Sequence, residues 1–550
     1  VSQSGRPQGT AGRSAGSARP TGVRTAARGE GEPDLRARPA RWYGWAVGAF
    51  GTLVALLWSW HPSLWTDESA SISAAGRSVG DLWRMVHTVD VVHGCYYLFL
   101  HYWTEMFGRS AFAIRLPSAV LVGVAAGLTV VVAQRLADTR VAVSAGVVVA
   151  LLPRITWAGM EARPYAATVA LAAAATAVLL RATSRPSVTV WVGYSVLLAA
   201  GCYLNVYVAL LGVAHLCSVV LDRRVTAQAR RAWLASAVGA AVLSAPLLWV
   251  ALGQTGQLGS AVRGPFDWLR NVVVNQWFLG DTPTTTTGRD VTVLRLGDVG
   301  SWWAPAAVVL AIAGWSTVAF GVVRAAVRHR SVWTWVRDRP FAWAVPWALV
   351  PTVVVVGYSV VGSPVYSPRY LTFAAPAVAL LIATGLDAVA RNYRWVVALV
   401  LLVATVPVYV SQRHLYAKNG SDWVSVAGVV HAGRQAGDCI YYTPRYPGAA
   451  GLIGQTTRGI AVAYPRDFAG LLDLTLLRTP AAAGNLTGVS RPLSDAATDI
   501  ARCPRVWVVE RNDYPQPFAA ADETLLERSG LAGRLLWRGP LDSVLLFRRG

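Results

Sequence analysis

Four short stretches of this 550-residue chain carry side chains able to do chemistry. "LWTDESASIS" (64–73) holds the adjacent acids Asp67 and Glu68, and "DVVHG" (90–94) holds Asp90 and His93. "GMEARPYA" (159–166) holds Glu161 and Arg163, and "SPVYSPRY" (363–370) holds Tyr366, Arg369 and Tyr370. A carboxylate can take a proton from a hydroxyl nucleophile. Arginine can grip a phosphate through two parallel hydrogen bonds and stabilise charge on a leaving phosphate. Tyr203, Asn205, Asn275 and Gln276 add further polar groups. All of these sit at the ends of apolar segments, where ionisable groups are costly unless paired or used. Brought together from separate helices, they would suit attack by a hydroxyl on a lipid-linked phosphosugar.

The elements that must position them are membrane helices. The chain is 54% hydrophobic and 14% charged, with mean hydropathy +0.41. Soluble domains carry about 25% charged residues. The fold class is therefore an α-helical polytopic membrane protein. The net charge of +21 is not a nucleic-acid signature, because the Arg residues form short clusters between apolar segments. Five Cys without a CxxC pair argue against a zinc or iron–sulfur centre. The initial Val and the single Lys, Lys418, fit a high-GC bacterial gene with a GTG start. Residues 1–41, rich in Gly, Ala, Ser, Pro and Arg, read as a disordered cytoplasmic tail.

A spanning helix needs about 20 mostly apolar residues. Candidates lie near 43–60, 114–134, 141–158, 164–181, 188–203, 206–221, 232–252, 302–323, 341–361, 371–389 and 395–411, about eleven spans within a transmembrane catalytic domain over 42–411. The positive-inside rule orients them. Links 135–140, 181–185, 222–231, 324–339 and 391–394 each hold at least two Arg and face the cytoplasm. Links 61–113, 159–163, 203–205, 253–301 and 362–370 face outward. This parity requires that "YYLFLHYWTEMF" (96–107) does not cross, and twelve residues reach only about 18 Å against a core of about 30 Å. Tyr96, Phe99, Leu100, Trp103 and Phe107 share one helical face, and His101, Thr104 and Glu105 another. Val79, Leu82, Trp83, Val86 and Val89 form a second stripe. The first outer loop, 61–113, thus holds two interfacial helices.

From 412 the composition turns soluble, and 412–550 reads as an extracytoplasmic α/β domain. "SDWVSVAGVVHAGRQAG" predicts a helix with Ser421 as N-cap and Gly437 as its stop. "CIYYT", "IAVAY", "RVWVVE" and "SVLLF" predict strands. Cys439 and Cys503 each lie beside a predicted strand and could pair on an oxidising side; the sequence leaves this open.

"LWTDESASI", "DVVHGCYYLFLHYW", "RLPSAV" (115–120), "MEARPYA" and "SPRYLTFAAPAVAL" together resemble the GT-C superfamily of polytopic glycosyltransferases, in particular the family 39-like, polyprenyl-phosphate-mannose-dependent mannosyltransferases of actinobacteria. The resemblance spans about 60–180 and 362–380; between them only the layout matches. It implies a polyprenyl-phosphate sugar donor, a glycolipid or lipoglycan acceptor, and a role in cell-wall biosynthesis at the plasma membrane. It implies Asp67 as the general base for an inverting displacement, with Asp90 orienting the acceptor or sharing that role. Arg163, Arg369, His93 and Tyr370 would bind the donor phosphate and sugar. Glu68, Glu161, Trp65 and Trp277 would contact acceptor or sugar. "HGCYY" replaces the family's usual "HPPLYY" run, which leaves the role of His93 open. No bound metal is implied, although an Asp67–Glu68–Asp90 cation site would be chemically reasonable. The bland reading of Asp67 and Asp90 is helix capping, and that of Arg163 and Arg369 is anchoring to lipid headgroups. Arg115, at the entry of a span, reads as structural.

Two other classes compete. A transporter or flippase would want an inverted repeat and polar residues at mid-membrane, and neither is visible. A non-catalytic scaffold presenting 412–550 leaves the first-loop acids unexplained. Within the enzyme class, an arabinofuranosyltransferase using polyprenyl-phosphate arabinose is the main alternative. The 412–550 domain is expected to hold the acceptor glycan.

Overall fold

The computed structural model describes residues 42–254, 265–280, 303–329, 334–362, 365–443, 456–512 and 520–550. The predicted tail 1–41 and most of the predicted outer loop 253–301 lie outside the described residues. The helices are α1 (Trp42–Leu56), α2 (Thr66–Ala75), α3 (Val79–Val86), α4 (Gly94–Phe107), α5 (Ala111–Ala133), α6 (Thr139–Leu151), α7 (Pro153–Ala158), α8 (Tyr165–Ser184), α9 (Val188–Leu204), α10 (Ala209–Leu221) and α11 (Ala227–Leu252). Then come α12 (Pro265–Arg270), which runs into a π-helix over Asn271–Leu279, α13 (Ala304–Arg328), α14 (Arg339–Val361), α15 (Ala375–Ala388) and α16 (Arg391–Ser411). A 3₁₀ segment, Pro368–Ala374, leads into α15.

Seven of these are long and apolar enough to cross a membrane: α5, α8, α11, α13, α14, the joined Pro368–Ala388 and α16. The other four predicted spans are shorter apolar helices, Trp42–Leu56, Thr139–Leu151, Val188–Leu204 and Val206–Leu221. The predicted span 141–158 is interrupted because Pro153, which has no N–H to donate, starts a new helix. α1 packs tightly on α5 through small residues. A Cβ on Gly123 would lie 2.0 Å from Thr52 Oγ1 and 2.4 Å from Gly48 O, so only glycine admits this approach.

Between α1 and α5 lie three short helices, none of them long and apolar enough to count among the membrane-crossing candidates. In α4 the buried face is mixed, holding Tyr96, Tyr97, Leu100, His101 and Thr104, whereas Phe99, Tyr102, Glu105, Met106 and Phe107 are exposed, so the predicted split into an apolar and a polar face is only partly met. The helix leaves Phe99, Tyr102, Met106 and Phe107 bare, an apolar exposure that suits a helix lying in a lipid interface.

The C-terminal region adds α17 (Trp423–Gly433), α18 (Arg458–Ala463) and strands β1 (Cys439–Tyr442), β2 (Leu472–Asp473), β3 (Leu476–Arg478), β4 (Val489–Ser490), β5 (Arg505–Arg511), β6 (Leu531–Arg538) and β7 (Asp542–Arg549). Five strands form a mixed sheet ordered β2-β1-β5-β7-β6, parallel at β2–β1–β5 and antiparallel beyond. Cys439 and Cys503 are joined by a disulfide. Three local predictions need correction. "IAVAY" forms α18, since a short apolar run fits either element. Ser421 does not cap α17; its hydroxyl donates to Leu64 O. The same helix stops at Gly433, and Gly437, at φ +86°, turns the chain into β1.

The described residues pack as one unit. The change of composition at 412 is not a gap in packing. Leu64, Ile72, Leu82 and Tyr97 of the first loop share one apolar core with Trp423, Ile460, Leu486 and Trp507. Polar bonds reinforce it along α2: Ser69 Oγ donates to Gly459 O (2.7 Å), Ser73 Oγ to Leu486 O (3.2 Å) and Arg77 Nη2 to Asn485 O (2.5 Å).

Candidate active site

The adjacent acids open α2, where carboxylates favour the positive end of the helix dipole. Successive helical residues point about 100° apart, so the two go separate ways. Glu68 turns inward. Both of its oxygens meet Arg115 at the start of α5, at 2.7 and 2.5 Å, and Ala162 N donates to it at 3.1 Å. Arg115 also donates to the carbonyls of Ser59, Pro62 and Ser63. Both side chains are fully buried. Glu68 is therefore a strut between α2, α5 and the 159–164 loop, which corrects its placement at the acceptor.

Asp67 turns toward two arginines from distant parts of the chain. Arg369 Nη1, in the 3₁₀ segment, donates to Oδ2 at 2.7 Å. Arg163 Nη2, in the loop before α8, lies 3.3 Å from Oδ1. Arg163 Nη1 also donates to Tyr97 Oη (3.1 Å), and Tyr97 Oη donates to Asp90 Oδ2 (2.7 Å). An unbroken chain of contacts thus runs Asp90–Tyr97–Arg163–Asp67–Arg369. Asp90 adopts a left-handed backbone, φ 60°, ψ 32°, a conformation that Asp tolerates better than most residues. Such local strain concentrates at functional sites.

Burial alone would raise the Asp67 carboxyl, but Arg163 and Arg369 outweigh it and hold its pKa at about 2. Burial, joined by Arg163, pushes the His93 imidazole down to about 4 against the pull of Asp90 and Asp67, so it is neutral at pH 7. Its ring centroid lies 5.9 Å from that of Tyr97.

Aromatic rings wall the Arg369 side. Its guanidinium carbon lies 5.6 Å from the Trp65 ring centroid and 5.7 Å from that of Tyr370. Tyr370 stacks on Tyr207 at 5.3 Å, and Asn205 Nδ2 donates to Tyr370 O. The structure thus gathers Asp67, Asp90, His93, Arg163, Arg369, Tyr370 and Trp65. It does not bring Glu68, Glu161 or Trp277 to this cluster as ligand contacts. Glu161, within the 159–164 loop, is fully buried, and its backbone carbonyl accepts from Ser118 Oγ at 2.6 Å. Trp277 packs in the transmembrane core. Gln276 and Tyr366 bond to each other at 2.8 Å. The sequence reading missed Tyr97, which links the acid and the arginine. Asp90 lies before α4 in a left-handed conformation, so helical spacing from Tyr97 offered no signal.

Asp67 faces arginines and Glu68 faces away, so the three-carboxylate cation site is not assembled. Among the described residues no group of three or more His, Cys, Asp or Glu is placed to hold a metal. Two buried nitrogens in the cluster, Arg163 Nε and His93 Nδ1, have no hydrogen-bond partner among the described residues. Buried polar groups are nearly always paired, so these donors and acceptors suit a polar ligand.

Residues 95–249 match the family model described as "Dolichyl-phosphate-mannose-protein mannosyltransferase". No curated protein sequence matches the chain. The fold is similar to that of ArnT from Cupriavidus metallidurans in the apo state, with TM-score 0.54 and 12% identity, covering 92% of this chain and 98% of that one. ArnT bound to undecaprenyl phosphate gives TM-score 0.51 and 12% identity over 92% and 97%. Arabinofuranosyltransferase AftD from Mycobacteria gives TM-score 0.46 and 15% identity over 92% of this chain and 41% of that one. The chain thus carries a segment similar to that mannosyltransferase family and, over nearly its whole length, a fold like that of ArnT.

Proposed function

We propose that the enzyme moves a mannosyl group from a polyprenyl-phosphate donor to a glycolipid or lipoglycan of the cell envelope, at the extracytoplasmic face of a bacterial plasma membrane. The observation that carries this reading is the Asp67 carboxylate, reached by two arginines from separate elements beside the interfacial helices. Asp67 takes the proton of the acceptor hydroxyl. That oxygen attacks the anomeric carbon as the bond to the phosphate oxygen breaks, inverting the centre. A β-linked donor then gives an α-mannoside. Arg163 and Arg369 hold the phosphate and stabilise the charge it gains. The planar guanidinium matches its oxygens. Tyr97 and Asp90 fix Arg163, and Trp65 and Tyr370 flank the sugar-phosphate. No metal is assigned a step. The family description favours mannose as the sugar. The ArnT fold, solved with undecaprenyl phosphate, supports a lipid-phosphate carrier. The Arg-rich links at 135–140, 181–185, 222–231, 324–339 and 391–394 support the orientation.

The test is sugar transfer by purified protein in nanodiscs. Polyprenyl-phosphate mannose and polyprenyl-phosphate arabinose are offered in parallel with a lipoglycan acceptor, to wild type and Asp67→Asn. Transfer of mannose alone, lost by a factor of about 10²–10⁴ in the folded variant, is expected. Transfer of arabinose alone would move the enzyme to the other sugar. Full activity in Asp67→Asn would remove Asp67 from the base role.

A further inference from the structure

The geometry sets a problem for the reaction just described. A base must be free to accept a proton, yet both oxygens of Asp67 are engaged by guanidinium groups. Carboxylate and phosphate are the two anions that a guanidinium fork fits best. We propose that the donor's phosphate and the Asp67 carboxylate compete for Arg163 and Arg369, so that donor binding itself releases the base. This rests on the reading of those arginines as phosphate ligands.

Three observations carry it. The two arginines come from different elements, the 159–164 loop and the 3₁₀ segment, and they converge on the one carboxylate. Asp67 therefore stands where an anion bridging both would stand. Second, a carboxylate does not use all that the cluster offers. Arg163 Nε and His93 Nδ1 are buried without partners among the described residues, although Arg163 already binds both Asp67 and Tyr97. A phosphate group, with more oxygens set tetrahedrally, can reach groups that a planar carboxylate leaves unmet. Third, the charges of Asp67, Asp90, Arg163 and Arg369 sum to zero, with His93 neutral. A phosphodiester makes the cluster net negative, and that excess charge is relieved when Asp67 gains a proton. The lowered pKa of Asp67 between the two arginines, which makes it a poor base there, agrees with this.

The consequence is an order of events. The donor enters first and takes the arginines. Asp67 swings free toward the aqueous side and becomes basic enough to accept the acceptor's proton. When the lipid phosphate departs, the arginines close on the carboxylate again. An empty site holds no free base, so acceptor hydroxyls or water arriving alone meet no activated carboxylate.

The competition predicts an effect of unusual sign. Removing the charge of a supposed catalytic residue should tighten donor-side binding. We would titrate farnesyl phosphate into the full-length protein in nanodiscs, comparing wild type, Asp67→Asn and Asp67→Ser. Both variants are expected to bind about tenfold more tightly or better, and Arg369→Gln is expected to weaken binding in the wild-type and Asp67→Asn backgrounds. An unfolded variant would bind less, so a gain cannot come from damage. If Arg369→Gln weakens binding but neither Asp67 variant tightens it, the competition is overturned while the phosphate reading stands. If Arg369→Gln leaves binding unchanged in both backgrounds, the phosphate reading has failed and the competition with it.

Discussion

The two adjacent acids of α2 can be told apart by a double-mutant cycle on Glu68 and Arg115. Breaking a fully buried ion pair by removing one partner costs about 3–5 kcal/mol, because the other charge is left uncompensated. Both side chains here are 0% exposed. Glu68→Leu strands Arg115, which keeps its three carbonyl partners at 2.8, 2.8 and 3.2 Å, so its cost belongs at the lower end of that range. Arg115→Met strands the carboxylate and also leaves those three carbonyls unmet, at about 1–3 kcal/mol for each that water cannot reach. It should be the most damaging change. The double variant retains the carbonyl penalty but buries no lone charge, and should be more stable than Arg115→Met alone. The assay is the unfolding midpoint in nanodiscs, read with sugar transfer at a temperature where every variant is folded. Transfer by folded Glu68→Leu should remain within several-fold of wild type. Loss of transfer without a shift in midpoint would refute the argument and place Glu68 at the chemistry.

Tyr97→Phe removes the hydroxyl joining Asp90 to Arg163. Transfer should fall about tenfold or more, with a raised KM for the donor, and steady-state kinetics would test it. His93 gives a pH signature. Its ordinary pKa of 6.5 falls to about 4 in the folded site, so folding opposes its protonation. Stability should decline as pH drops through 6.5 and stop declining from this source near 4; in His93→Phe, melting across that window should be flatter. Asp67 acts lower, its stabilisation being lost only as pH falls from its ordinary 3.8 toward about 2. The disulfide closes a 64-residue separation, for which chain entropy predicts about 4 kcal/mol. Reduction should lower the melting of the sheet region, and Cys439→Ser with Cys503→Ser should match it.

The helical plan was legible because membrane helices announce themselves by long apolar runs, and the eleven predicted positions all carry helices. Their lengths were less legible. Pro153 cuts one span, and four helices fall short of a full crossing. Asp67, Arg163 and Arg369 could be singled out because charges at helix ends demand a reason. Their pairing could not be, since Asp67 and Arg369 are 302 residues apart. Glu68 looked equivalent to Asp67 in sequence; only its buried partner Arg115 separates them. Local pattern likewise could not decide "IAVAY", whose helix faces α2 across a tertiary contact. The expectation that 412–550 simply holds the acceptor overlooked this packing. Deleting that region would strip support from α2, and would impair donor and acceptor binding alike.

The grip of the C-terminal region on α2 also has a meaning in time. Asp67 leaves the ribosome early, but the backbone that fixes its helix comes much later, Gly459 lying 390 residues beyond Ser69 and Leu486 lying 413 beyond Ser73. Until those residues have been made and delivered to the same side of the membrane, α2 lacks the C-terminal part of its core and the carbonyls that Ser69 and Ser73 bond. A chain arrested or clipped after α16 would insert its helices and still be inert. Competence is conferred by the last quarter of the polypeptide, so that biogenesis yields either a finished transferase or a silent one.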